Sequence, residues 1–356
     1  SFSLHQERKS GFLTPSYGSS STSGTEIVVP YYLNIAPNLD ATLSPRALTK
    51  RGLQLNTEVR YLQPSYSGEL RVEYLPDDKS ISIDRHAFFL KHAQTLPYGW
   101  SGALDLQKVS DDKYFTDLST RIALTSQVLL PRQGTLSRGG TWGQGGSYSF
   151  SAMAQSWQAL QVDPLAPLTP PHNRLPQLTL TAFNQDILRS DFDFLGSYVD
   201  FDHPTLVNGR RFMAYPSLSM PLQTSYAYLT PKIGVNLTHY ALDRSTTTLP
   251  DSTRTLPIVS IDSGLVFERD TRIGGQEFIQ TLEPKLYYVY IPFRDQSRIP
   301  NFESGLQDIN FATIFSENQF SGYDRINDAN QITFGLSSRF INAETGAERL
   351  RVGLAQ

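Results

Sequence analysis

Alternation with a period of two runs through this chain from end to end, and it confines most of the residues to strands. Leu53, Leu55, Thr57, Val59 and Tyr61 interleave with Gln54, Asn56, Glu58 and Arg60. Leu70, Val72 and Tyr74 interleave with Arg71 and Glu73, and the same spacing returns in Leu282, Pro284, Leu286, Tyr288 and Tyr290 and in Leu350, Val352 and Leu354. Helical spacing is nearly absent, so the fold class is all-β. Each strand offers one apolar and one charged face, which suits either a solvated sandwich or a barrel with a wet interior. Composition favours the barrel. Only 39% of the residues are hydrophobic while 12% are aromatic. That is lean for a large dry core but enough for a transmembrane antiparallel β-barrel, in which every second strand residue faces lipid.

On that reading Glu58, Arg60, Arg71 and Glu73 face the lumen and can pair across strands. Pro, Gly, Asn and Asp mark the turns, for instance Pro76-Asp77-Asp78-Lys79 and Asn208-Gly209. Asp77-Asp78 is read as an Asx-type turn rather than a cation site. Longer polar connections are expected over 134–146, 162–174, 243–254 and 292–305. At about 22 residues per strand and connection, residues 25–356 hold roughly 15 strands. Residues 1–24 are rich in Ser, Thr and Gly and read as a linker, so a boundary is expected at Gly24. Ser1 opens no export signal and the chain stops inside an alternating run, so the sequence reads as an excerpt of a longer protein.

Chemistry is hard to find. The net charge of −3 gives no support to nucleic-acid binding, and the absence of Cys rules out disulfides within these residues. Val259 to Gly264 contains one Asp-Ser-Gly corner, but the acid-protease chemistry it resembles needs two carboxylates sharing a proton. The six histidines, His5, His86, His92, His172, His203 and His239, are scattered and form no metal-ligand motif. The Gly139–Gly146 run lacks the lysine and following helix of a phosphate loop and is read as a loop. Asn236-Leu237-Thr238 fits a glycosylation sequon but sits in a strand-like run. Tyr287, Tyr288, Tyr290 and Phe293 fit an interfacial girdle as well as plain sheet packing. No catalytic residue, metal site or cofactor is expected, and the chain is read as not an enzyme.

Six phrases carry a resemblance: residues 8–17 (RKSGFLTPSY), 30–45 (PYYLNIAPNLDATLSP), 50–62 (KRGLQLNTEVRYL), 74–78 (YLPDD), 163–177 (ending HNRLPQ) and 315–331 (FSENQFSGYDRINDANQ). In this order they resemble the LptD family of outer-membrane lipopolysaccharide-assembly proteins. The resemblance implies a periplasmic β-jelly-roll followed by a barrel of about 26 strands, at the upper end of the usual range. Residues 1–24 would then be the jelly-roll tail and hinge, and residues 25–356 the first part of the barrel in a Gram-negative outer membrane. The family's disulfide cysteines would lie outside this sequence. The implied function is insertion of lipopolysaccharide into the outer leaflet through a lateral gate between the first and last strands. The implied partners are lipopolysaccharide, an LptE-type plug lipoprotein, an LptA-type periplasmic bridge protein and outer-membrane lipids, with energy from an inner-membrane ATPase.

Pro30 and Pro45 match the family's gate prolines. Proline lacks an N–H and removes a ladder bond, so two of them on adjacent strands would weaken a seam. They would stand at similar heights if the chain turns near Ala36-Pro37-Asn38. The alternatives are a passive porin or other outer-membrane transporter, and a soluble all-β binding or glycan-processing protein.

Overall fold

The computed structural model describes residues 9–119 and 126–356; His5 and Arg8 lie outside the described residues. The chain divides into two compact units, residues 1–138 with 151–176 and residues 139–150 with 177–356. The strands are β1 (Gly11–Phe12), β2 (Ser16–Ser20), β3 (Gly24–Val28), β4 (Tyr31–Ala36), β5 (Leu39–Leu48), β6 (Gly52–Leu62), β7 (Tyr66–Leu75), β8 (Arg85–Leu96) and β9 (Trp100–Val109). A single turn of helix, α1 (Tyr114–Leu118), precedes β10 (Leu129–Trp142), β11 (Gly146–Ala159) and β12 (Asn173–Ile187). Then come β13 (Ser190–Asp202), β14 (Gly209–Ser219), β15 (Leu222–Gln223), β16 (Ala227–Leu242), β17 (Ser252–Leu265), β18 (Phe267–Ile273), β19 (Gln276–Ile291), β20 (Ala329–Asn342) and β21 (Glu348–Ala355). The described protein is thus almost entirely β-sheet, as the alternation requires.

In the first unit β4, β5, β6, β7, β8, β9 and β10 pair in order, each antiparallel to the last. In the second, β13, β14, β16, β17, β19, β20 and β21 do the same. Chain neighbours are sheet neighbours throughout both runs, the simplest consequence of short turns between amphipathic strands.

Burial runs opposite to that of a water-soluble domain. Leu53, Leu55 and Tyr74 are 60%, 44% and 44% exposed, while Gln54 on the other face of β6 is fully buried. Leu282, Leu286 and Tyr290 are likewise exposed. A dry sandwich would bury exactly these residues; here the apolar row looks outward and the polar row inward.

The buried apolar residues gather at strand ends. Tyr114, Phe115 and Leu118 of α1 pack on Leu48, Leu75, Ala87, Val109, Leu130 and Leu160. In the second unit, Ile299 and Phe302 pack on Val199, Phe201, Tyr240 and Leu242, and Ile326 packs on Leu256, Ile258, Tyr287, Val289 and Ile291. All three clusters form where long connections fold back onto the polar face of the strands.

Several expectations need correction. The Ser/Thr/Gly tract is not simply a linker: β2 pairs with β3 and β1 with β4, because a strand edge there offers unmet backbone groups that even a low-propensity sequence can satisfy. The expected connection over 134–146 is strand as far as Trp142, with a tight turn through Gly143 and Gly145 at positive φ. The connection expected over 292–305 extends to residue 328. Tyr287 is buried on the inner face against Phe315, at a ring separation of 6.4 Å, and does not join a girdle. The sequon residues Asn236 and Thr238 are both buried.

Gly335 in β20 shows how closely the returning connection fits. A Cβ on Gly335 would lie 2.5 Å from the Phe315 ring. Gly335→Val should therefore lower stability by about 1–3 kcal/mol, the usual effect of overpacking, in urea titrations of protein folded into lipid vesicles. Adding Phe315→Ala should remove the clash, so the double variant should lose less than the two single losses summed.

Candidate functional site

The prolines sit where three arms of the first unit meet. Pro30 lies in the break between β3 and β4, not within one continuous strand, whereas Pro45 is inside β5. The chain does turn at Pro37-Asn38. The registers Val28↔Arg46 and Tyr31↔Leu43 bracket both prolines and place them one residue step apart in height.

In an antiparallel ladder, hydrogen-bonded residues exchange both N–H and C=O. Val29 N–H donates to the Pro45 carbonyl at 3.1 Å, and Leu13 N–H donates to the Pro30 carbonyl at 2.9 Å. Neither proline has an N–H with which to return the bond. Two successive two-bond pairs are thus reduced to one bond each. Between Phe12↔Tyr31 and Ser16↔Val28, residues 13–15 face residues 29–30, a bulge that bends and twists the ladder. Pro15 stands in that bulge. Reading the N-terminal tract as linker concealed it; the signal available in the sequence was the equal spacing of Pro15, Pro30 and Pro45.

Glu58, Arg60, Arg71 and Glu73 occupy one face of β6 and β7, with Glu58 directly opposite Arg71. Arg60 Nε donates to Asp40 Oδ1 at 2.9 Å and stands 3.7 Å from Glu58. Glu73 lies 3.3 Å from Arg71 Nε and accepts a hydrogen bond from the Tyr114 hydroxyl at 2.7 Å. The structure thus brings Glu58, Arg71 and Glu73 together under α1 and pairs Arg60 with Asp40 of β5.

Above this face lies a buried ionic cluster that pattern reading missed, because its members come from separate connections. Arg85 and Asp78 are fully buried. Arg85 reaches Asp111 at 2.7 Å, Asp117 at 3.0 Å and Asp78 at 3.3 Å, while Arg51 reaches Asp78 at 2.7 Å. Asp78 also closes the expected Asx turn by accepting from Ser80 N–H at 2.9 Å. Burial alone would raise the Asp78 pKa, but the Ser80 N–H and the Arg51 and Arg85 guanidiniums outweigh it and hold it below the ordinary carboxylate value. The same cluster ties α1 to the first hairpin. Ser23 Oγ donates to the Asp117 carbonyl at 3.1 Å, Arg51 Nε to the Thr22 carbonyl at 3.1 Å and Arg46 Nη1 to the Leu118 carbonyl at 2.7 Å.

The 315–331 run plays the equivalent part in the second unit. Asp324 is fully buried; Oδ1 accepts from Arg211 at 2.8 Å and the Tyr240 hydroxyl at 3.0 Å, and Oδ2 from the N–H groups of Phe302 and Glu303 at 2.9 and 2.8 Å. Arg254 donates to the carbonyls of Asp324 and Tyr323, and Tyr215 donates to Glu317 at 2.7 Å. Too polar to form a core of its own, the run is held by charges projecting from the inner face of the strands.

A family model described as "LPS transport system D" matches residues 83–356, and one described as "LptD protein" matches residues 1–105. The chain belongs to the LptD family. An "LPS-assembly protein LptD" of Nitrosomonas eutropha is 45% identical over 360 residues, covering 100% of this chain and 49% of that protein. The same-named protein of Aromatoleum aromaticum is 48% identical over 359 residues, covering 100% of this chain and 44% of that protein. The chain spans about half the length of the curated relatives it matches. A solved bacterial polysaccharide outer membrane secretin overlays at a TM-score of 0.29 and 10% identity, covering 78% of this chain and 89% of that one, too loosely to bear on function. Membership of this family places the chain in the outer membrane, and that setting gives the exposed apolar rows lipid to face.

Two consequences can be measured. Asp324→Ala removes the carboxylate that meets buried Arg211, the Tyr240 hydroxyl and the N–H groups of Phe302 and Glu303, and should destabilise the folded protein by about 3–5 kcal/mol, read as a shift of the urea midpoint in vesicles. Asp78, with its depressed folded pKa, stabilises the protein fully above its unfolded value of about 3.9 and loses that contribution as pH falls through the folded value. Stability should therefore drop below about pH 4, and Asp78→Asn should flatten that part of the profile.

Proposed function

We propose that this chain forms the N-terminal part of the barrel of a translocon that inserts lipopolysaccharide into the outer leaflet through a lateral gate between the first and last barrel strands. The observation that carries this reading is the pair of half-made ladder steps at Pro30 and Pro45, in a member of the LptD family. A barrel hides its backbone groups from lipid by pairing every strand, and parting two strands exposes them. A gate must be weak beforehand. Each missing bond is worth roughly 1 kcal/mol net in water and more in lipid, so prolines on neighbouring arms lower the cost of parting without abolishing the fold. A passive porin has no use for such a weakness.

In this proposal Glu58, Arg60, Arg71 and Glu73 line the lumen through which the sugar chain passes, and the roughly 15 strands expected over residues 25–356 are completed by others to close the barrel. Residues 1–24 carry the jelly-roll tail and hinge. The partners are lipopolysaccharide, an LptE-type plug lipoprotein, an LptA-type bridge protein and the lipids of the outer membrane.

The test is the double variant Pro30→Ala with Pro45→Ala in the complete protein. Restored N–H groups should tighten the seam and slow the arrival of new lipopolysaccharide at the cell surface, followed by pulse labelling. Arrival at the unaltered rate, with the barrel assembled at normal levels, would refute the gate assignment.

A further inference from the structure

We infer that the cavity beneath α1, about 330 Å³ in volume, is a binding subsite for an uncharged sugar ring. The inference rests on the proposed route of the sugar chain through the lumen and goes further by naming where a sugar pauses and what holds it. The volume lies at the small end of ligand pockets.

Two polar atoms of its lining, Asn56 Oδ1 and Arg71 Nε, are buried and make no hydrogen bond. Arg71 Nε stands 3.3 Å from Glu73 but is misaligned for a bond. Buried polar groups are almost always satisfied, and those left over call for a partner. One of these atoms is an acceptor and the other a donor. With Asn56 opposite Glu73 and Glu58 opposite Arg71, the two residues are diagonal neighbours on β6 and β7, a residue spacing of roughly 7–8 Å on such a ladder. A sugar ring with hydroxyls on both sides bridges such a span, since a hydroxyl both donates and accepts.

The charges select among ligands. Glu26, Glu58 and Glu73 outnumber Arg46 and Arg71 in the lining, so a phosphate group would meet net repulsion. A divalent cation is also disfavoured: among the described residues no group of three or more carboxylates or histidines converges as a metal site, and Glu26 and Glu73 are already engaged by Arg46 and the Tyr114 hydroxyl. An acyl chain would strand the polar lining. Neutral hydroxyls can accept from Arg71 and donate to Asn56 and Glu58 at once. The Arg71 guanidinium is also held in place, 4.1 Å from the Phe89 ring centroid, so little ordering remains for the ligand to impose.

The experiment uses the complete protein with its plug lipoprotein in detergent. The probe is a delipidated, dephosphorylated lipopolysaccharide oligosaccharide, followed by saturation-transfer NMR. The wild type should bind it, and Asn56→Ala and Arg71→Met should each weaken binding at least ten-fold. Thr42→Phe, which fills the cavity while leaving Asn56 and Arg71 intact, should do the same. Inorganic phosphate should not displace the oligosaccharide. Absence of transfer in the wild type, equal binding in variants shown on gels to be assembled barrels, or displacement by phosphate would each overturn the inference.

Surface lipopolysaccharide is scored separately in cells. Oligosaccharide binding lost in the variants, in cells whose surface lipopolysaccharide does not depend on this protein, would uphold the subsite and refute the transport reading. Dependence on the protein together with unchanged binding in the variants would refute the subsite alone.

Discussion

A strand that faces lipid has no solvent to fall back on: each backbone N–H and C=O must find its mate on the neighbouring strand. That requirement accounts for most of what this chain does. It explains the unbroken succession of antiparallel neighbours, the short turns, and the outward apolar rows of Leu53, Leu55 and Tyr74 set against the buried Gln54. It also makes the places where the rule is relaxed informative. Around Pro15, Pro30 and Pro45 the ladder loses one bond of a pair on each side of the arm that carries Pro30, and on one side it is bulged as well; all of this falls within a short stretch of three neighbouring arms.

Polar strand faces turned inward create a second problem, since charges there need partners. The structure answers with long connections that bring opposite charges to them. Arg85 and Arg51 are met by Asp78, Asp111 and Asp117, while Arg211 is met by Asp324 and Glu303. Small apolar clusters surround each network, formed by α1 in one unit and by Ile299, Phe302 and Ile326 in the other. Buried ion pairs add little stability compared with apolar packing, but breaking one is costly. They fix where a connection docks.

Much of the architecture was legible in the sequence, because a period of two is a direct image of the pleat. The faces of Glu58, Arg60, Arg71 and Glu73, the turn at Pro37-Asn38 and the Asx turn at Asp78 all follow from local spacing. The missed features depend on contacts between distant residues. Nothing in the Ser/Gly tract announces that Ser16–Ser20 will find β3. The glycines of residues 134–146 resemble loop until one sees Tyr148 lying over Gly140, a covering ring that compensates for the missing side chain. The ionic cluster of Arg85 was invisible for the same reason, its members being scattered over three connections and the start of β8.

That scattering bears on assembly. Arg51, Asp78, Arg85 and Asp117 neutralise one another only after the hairpins carrying them stand side by side and α1 has swung in to cover them. A nascent barrel lacking any one of these pieces holds naked charge at a site closed to water, so a half-built product is unstable by construction. Because the Asp117 carbonyl also accepts from Ser23 in the opening hairpin, the docking of α1 depends on that hairpin as well as on the charges.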